Sequence, residues 1–162
     1  MGGCIAGDPL TTTPQGHGGS IADGQVRAGP PAGRPAVRPS ILAVDDDPAV
    51  LTFVERVLRR AGAEVTAVGS ARAALRAIAD GASKPSLLLT VIELPVMTGI
   101  ELSARVRALR PGIRVVMMTA DRASAKAARD RPDLVGWVLL KPITAAELLA
   151  ATGLAGAEVE ST

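Results

Sequence analysis

Residues 41–48 read Ile41-Leu42-Ala43-Val44-Asp45-Asp46-Asp47-Pro48, four apolar residues running into three carboxylates and a proline. So short an apolar run fits a strand buried on both faces. An aspartate followed by a proline suits the cap and first turn of a helix. Beyond them Val50, Phe53, Val54, Val57 and Leu58 recur at helical spacing, which predicts an amphipathic helix over 48–61 with these residues facing a core. Leu51 falls outside that stripe. The opening unit is therefore strand, acidic turn, helix.

The same unit recurs. Apolar runs appear again at 65–68, 87–92, 113–118 and 135–140. Ser70 caps a predicted helix over 71–80 and Gly81 stops it. Thr98 begins another over 99–109, with Glu101 completing a capping box, and Pro111-Gly112 ends it. Residues 121–131 are polar and alanine-rich, a weaker helix. Thr144 caps the last, 145–152, with Glu147 in its capping box. Five strands alternating with five helices predict a doubly wound α/β fold, a five-stranded parallel sheet flanked by five helices, over residues 40–156. Residues 157–162 form a short tail.

The first 39 residues differ in character. Nine glycines and six prolines stand there without a period and with little apolar bulk. Such a segment cannot offset the entropy of being ordered, so 1–39 is expected to be a disordered tail. It holds the only histidine, His17, and the only cysteine, Cys4. Catalysis by a Ser-His-Asp set, a histidine metal site and an internal disulfide are thereby disfavoured, and a cytoplasmic location is expected. The opening Met-Gly-Gly-Cys-Ile-Ala is similar to an acylation signal, but Ala6 stands where serine or threonine is needed.

At 162 residues, with 48% hydrophobic residues, the chain has room for one domain with a real core. Its net charge of +2 and its lack of tyrosine argue against a nucleic-acid partner. No stretch approaches the ~20 apolar residues that span a membrane.

Ligands of such folds sit at the carboxyl ends of the strands, at the topological switch point. That rule selects Asp45–Asp47, the segment after Ile92, Thr119 and Lys141. Adjacent carboxylates repel unless a cation joins them, and Mg²⁺ is the usual solution. A lysine ammonium supplies positive charge for phosphoryl oxygens and a threonine hydroxyl adds a hydrogen bond. The set describes a phosphoryl-transfer pocket, with Asp47 also capping the next helix.

These residues resemble the receiver domain of two-component response regulators, over about 40–156. The segments that carry the resemblance are 41–48; Leu87-Leu-Leu-Thr-Val91-Ile-Glu-Leu-Pro95-Val-Met-Thr-Gly99; Val115-Val-Met-Met-Thr119-Ala120; and Val138-Leu-Leu-Lys141-Pro142. The resemblance implies that Asp45, Asp46 and the backbone carbonyl of Glu93 are metal ligands. It implies that Thr119 and Lys141 sense the phosphoryl group, and that the Lys141–Pro142 peptide is cis. It implies as partners a sensor histidine kinase, a histidine phosphotransfer protein or a downstream regulator.

Two positions depart from the family pattern. The acceptor aspartate belongs four residues before the proline, and Val91 stands there, without a nucleophile. Thr90 faces the other side of the sheet. Glu93 lies past the strand end, misplaced for in-line attack but able to lend a metal its carboxylate. The family's switch aromatic, three residues before the lysine, is here Val138, and the adjacent Trp137 is sent to the opposite face. With one carboxylate missing, Mg²⁺ is expected to bind weakly or not at all, ~10-fold or more below an ordinary receiver.

The reading preferred on these grounds is a stand-alone, non-enzymatic, receiver-like protein that acts through protein contacts, since no output module follows residue 156. Leu51 and Trp137 are the candidate contacts. One alternative is an ordinary phosphorylated regulator carrying an Asp-to-Val change at 91. Another is a small phosphatase of the haloacid-dehalogenase type, suggested by the Asp-x-Asp spacing in 45–47; a flavin-binding domain fits less well, lacking a phosphate loop after the first strand.

Overall fold

In a computed structural model of the chain, residues 37–156 are described. The tail expected to be disordered, with Cys4 and His17, lies outside them up to residue 36, as does the tail 157–162.

The strands are β1 (Ser40–Val44), β2 (Glu64–Val68), β3 (Leu87–Val91), β4 (Arg114–Thr119) and β5 (Trp137–Leu140). The helices are α1 (Pro48–Arg60), α2 (Ala71–Ala79), α3 (Gly99–Leu109), α4 (Arg122–Arg129) and α5 (Ala145–Thr152). All strands are parallel, in the order β2-β1-β3-β4-β5. The chain steps outward from β1 to β2, then reverses past β1 to lay down the other three. The switch point therefore falls between β1 and β3.

Strand alternation divides the core into two layers. Ile41, Ala43, Leu87, Leu89, Val116 and Met118 pack against α1 and α5 through Val54, Leu58 and Leu148. Leu42, Val44, Leu88, Val115 and Met117 pack against α2, α3 and α4 through Ala74, Leu102, Val106 and Ala128. Every residue of β3 is buried, as a central strand covered on both faces requires.

The helices begin where capping side chains meet orphan backbone N–H groups. Asp47 accepts from Ala49 and Ser70 from Ala73, while Thr98–Glu101 and Thr144–Glu147 form the two expected capping boxes. Gly153, at φ 81°, ends α5 in the left-handed conformation.

Helix α1 corrects the sequence reading. Leu51 is half-buried and packs against the α1–α5 core layer. Phe53, read as a core residue, is instead 37% exposed. Val50, Leu51 and Val57 pack against that layer beside the buried Val54 and Leu58, so the buried sector of α1 turns away from Phe53. Trp137 is 49% exposed, on the face opposite Val138, as alternation along β5 requires.

Candidate functional site

The carboxyl ends of β1, β3, β4 and β5 bring Asp45, Val91, Thr119 and Lys141 to one end of the sheet. Asp45 is 1% exposed. Its Oδ2 accepts from Lys141 Nζ at 2.9 Å and its Oδ1 from the Asp47 N–H at 2.9 Å. Both oxygens of a buried carboxylate are thus matched, one by a full charge. Asp46 is exposed. The Lys141–Pro142 peptide is cis.

Val91 ends β3 with its side chain 4% exposed. It presents no oxygen or nitrogen beyond its backbone, and its carbonyl accepts the hydroxyl of Thr90 at 3.0 Å. The loop that follows folds tightly back on the strand. Gly99 N–H donates to the Ile92 carbonyl at 2.8 Å. A Cβ on Gly99 would collide with the Val91 carbonyl oxygen, so only glycine lets α3 start this close to β3. Within the loop Val96 takes φ 72° and is fully exposed, an uncommon conformation for a β-branched residue.

Thr119 is completely buried. Its hydroxyl donates to Glu93 Oε1 at 2.6 Å and accepts the Asp121 N–H at 3.0 Å. The backbone ties the same region together: Ile92 N–H donates to the Met118 carbonyl at 2.9 Å and Lys141 N–H to the Thr119 carbonyl at 2.8 Å. Asp121 caps α4, accepting from the Ser124 N–H at 2.8 Å and the Ser124 hydroxyl at 2.9 Å. The Ser124 N–H is the main reason its carboxyl titrates below the ordinary value, with the Ser124 hydroxyl next.

The sequence placed Asp45, Thr119 and Lys141 at one site, and the structure brings them together. It did not reveal that Lys141 pairs directly with Asp45, or that the Glu93 carboxylate lies on Thr119. A signal that these two residues lie near each other was available: Glu93 follows β3 by two residues and Thr119 ends the neighbouring strand. The side chain of Glu93 is accordingly turned to a hydroxyl and not to the acidic pair.

Of the donors a divalent cation could use, Asp45 has its oxygens on Lys141 and Asp47, the Glu93 carboxylate is on Thr119, Val91 adds no side-chain oxygen, and Asp46 is exposed. Among the described residues no three acidic, histidine or cysteine side chains cluster as metal ligands would. The Asp-x-Asp chemistry of a phosphatase fits poorly, because Asp47 is exposed and engaged as the α1 cap.

Residues 41–152 match the family model for the response regulator receiver domain. The chain is 32% identical over 110 residues to the DNA-binding transcriptional regulator NtrC of Azospirillum brasilense, covering 68% of this chain and 22% of that protein. It is 32% identical over 114 residues to the DNA-binding response regulator MtrA of Mycolicibacterium smegmatis, covering 70% and 49%. Against the CheY-like receiver domain protein from Methanospirillum hungatei the TM-score is 0.65 at 29% identity, over 72% of this chain and 91% of that one. The chain spans about a quarter to a half of the length of these two curated relatives.

Proposed function

Because this chain belongs to the response regulator receiver domain family of two-component signalling, we propose that it is a receiver in which the acyl-phosphate step is lost and contact with other proteins is the output. The observation that carries this reading is Val91. It ends the central strand of the pocket, buried, with no nucleophile. Asp46 is an exposed turn residue, and Glu93 is held by Thr119.

The partners fitting such a module are a sensor histidine kinase, a histidine phosphotransfer protein or a downstream regulator, met in the cytoplasm. No helix among the described residues is long and apolar enough to cross a membrane. Two surfaces suit contact. One is a cavity of about 260 Å³ lined by Ala49, Val50, Phe53, Lys141, Pro142 and Ile143, where Phe53 takes the role first assigned to Leu51. The other surrounds Trp137, beside Arg129, Pro132 and Val138. Mg²⁺, which receivers generally bind at the phosphorylation site, binds weakly here or not at all.

A second reading, an ordinary regulator with an Asp-to-Val change at 91, is favoured by the presence of Asp45, Thr119 and Lys141 at their strand ends. Intact mass separates the two, after incubation with Mg²⁺ and acetyl phosphate, with Val91→Asp in parallel. The native chain is expected to gain no phosphoryl mass. A labelled native chain would defeat the proposal and direct mapping to Glu93 and Asp46. Labelling of Val91→Asp with full recovery of a conformational response would favour the second reading.

A further inference from the structure

Every side chain at this site that would meet a phosphoryl oxygen already holds a carboxylate of the chain itself. Lys141 holds Asp45 and Thr119 holds Glu93. The second contact is the informative one. A threonine hydroxyl has one proton to give. Two acceptors lie near it, Glu93 Oε1 at 2.6 Å and the Asp121 carbonyl at 3.4 Å. The shorter distance is that of a charge-assisted O–H···O⁻ bond, the stronger kind. The hydroxyl's lone pair receives the Asp121 N–H at 3.0 Å, so the fully buried side chain is fixed from both sides.

The two loops joined by this bond are each anchored. The β3–α3 loop is closed by the bonds from Leu94 N–H and Gly99 N–H to the Ile92 carbonyl. The β4–α4 loop passes directly into the Asp121 cap, whose carboxylate accepts twice from Ser124. A continuous path thus runs from Glu93 through Thr119 and Asp121 to the first turn of α4.

We infer that Glu93 is an internal ligand of the Thr119 hydroxyl, a positioning residue that fixes the start of α4 as a bound phosphoryl oxygen would, without phosphorylation. This deepens, and rests on, the reading that the site works without an acyl phosphate. It has a consequence that the loss of an acceptor alone does not. Restoring the acceptor would yield a chain that is labelled but silent, because the hydroxyl that should report the label is occupied.

The test is amide hydrogen exchange over residues 119–129 of the full chain. Glu93→Ala should speed exchange at the first turn of α4 by about ten-fold, the scale of a lost hydrogen bond to a charged group. Glu93 is on the surface, so this variant keeps its core. Thr119→Val, which also removes the acceptor of the Asp121 N–H, should speed exchange at least as much, and adding Glu93→Ala to it should speed exchange no further, because Glu93 acts only through that hydroxyl. Thr119→Ser, which keeps the hydroxyl, should restore native exchange. Unchanged exchange in Glu93→Ala with faster exchange in Thr119→Val would overturn the inference, since Asp121 alone would then hold the hydroxyl.

A second arm uses Mg²⁺ and acetyl phosphate. In Val91→Asp the new carboxylate attacks phosphorus, the bond to the acetyl oxygen breaks and acetate leaves. Labelling should leave α4 exchange as it was. In Val91→Asp/Glu93→Ala labelling should slow the exchange that Glu93→Ala had raised. A response at α4 in labelled Val91→Asp alone would overturn the inference. Failure of Val91→Asp to label would count against the phosphoryl-pocket reading only, and Glu93→Ala exchange would still decide the role of Glu93.

Discussion

Asp45 shows how one residue's surroundings settle what a motif can do. As part of an acidic run it reads as half of a metal-binding pair; in the fold it is a buried anion with a single cationic partner. Lys141→Met should strand Oδ2 without a donor. Breaking a buried pair from one side is strongly destabilising, and since the lysine side chain is 22% exposed, about 1–3 kcal/mol is expected. Asp45→Asn combined with Lys141→Met should recover much of that loss, because no charge is left buried. Urea unfolding measures both. An unchanged midpoint for Lys141→Met would mean that water already solvates the carboxylate and that the pair does not hold β1 to β5. The residue scale was also where sequence reasoning was weakest. Alternation and spacing say which face a residue occupies, and that sufficed for Trp137 and Val138. They do not say which polar atom a long side chain reaches, so the contact of the Glu93 carboxylate with Thr119 is not legible in the sequence.

At the scale of elements, helix α4 carries the clearest pH signature. The Asp121 carboxyl is held below its ordinary value of 3.8, first by the Ser124 N–H and then by the Ser124 hydroxyl. A carboxyl with a depressed folded-state pKa contributes stability that is complete above the unfolded value and lost as pH falls through the folded one. Acidification from about pH 5 to below about pH 3.8 should therefore loosen the first turn of α4. Asp121→Asn preserves a capping oxygen that does not titrate. The difference in thermal midpoint between the native chain and this variant should shrink across that interval. A constant difference would show that the cap does not respond to protonation. The helices themselves were legible because caps and stops are written locally: Thr98 with Glu101, and Thr144 with Glu147, began α3 and α5 where read. The α1 stripe was legible in period but not in phase. Which sector faces inward is set by packing against residues distant in sequence, and it half-buries Leu51 and leaves Phe53 exposed.

For the whole molecule, one sheet serves two core layers, and this binds the site to the stability of both. Five apolar runs and five capped helices were enough to predict the doubly wound sheet, since a strand buried on both faces admits few other arrangements. Leu88 and Leu89 are adjacent on β3 and completely buried, yet Leu88 belongs to the α2–α3–α4 layer and Leu89 to the α1–α5 layer. Because β3 hydrogen-bonds to both β1 and β4, neither layer can melt without disturbing the strand that supports the other. Leu88→Ala and Leu89→Ala should each destabilise by about 2–5 kcal/mol. Each should also shift one shared transition and not split it. Trp137, the only tryptophan, sits on edge strand β5 and reports by fluorescence, while circular dichroism reports the helices of both layers. The two probes should give coincident urea midpoints in both variants. If Leu88→Ala lowered the dichroism midpoint while Trp137 fluorescence stayed put, the layers would unfold separately, and the α4 side could then change without the α1 side following.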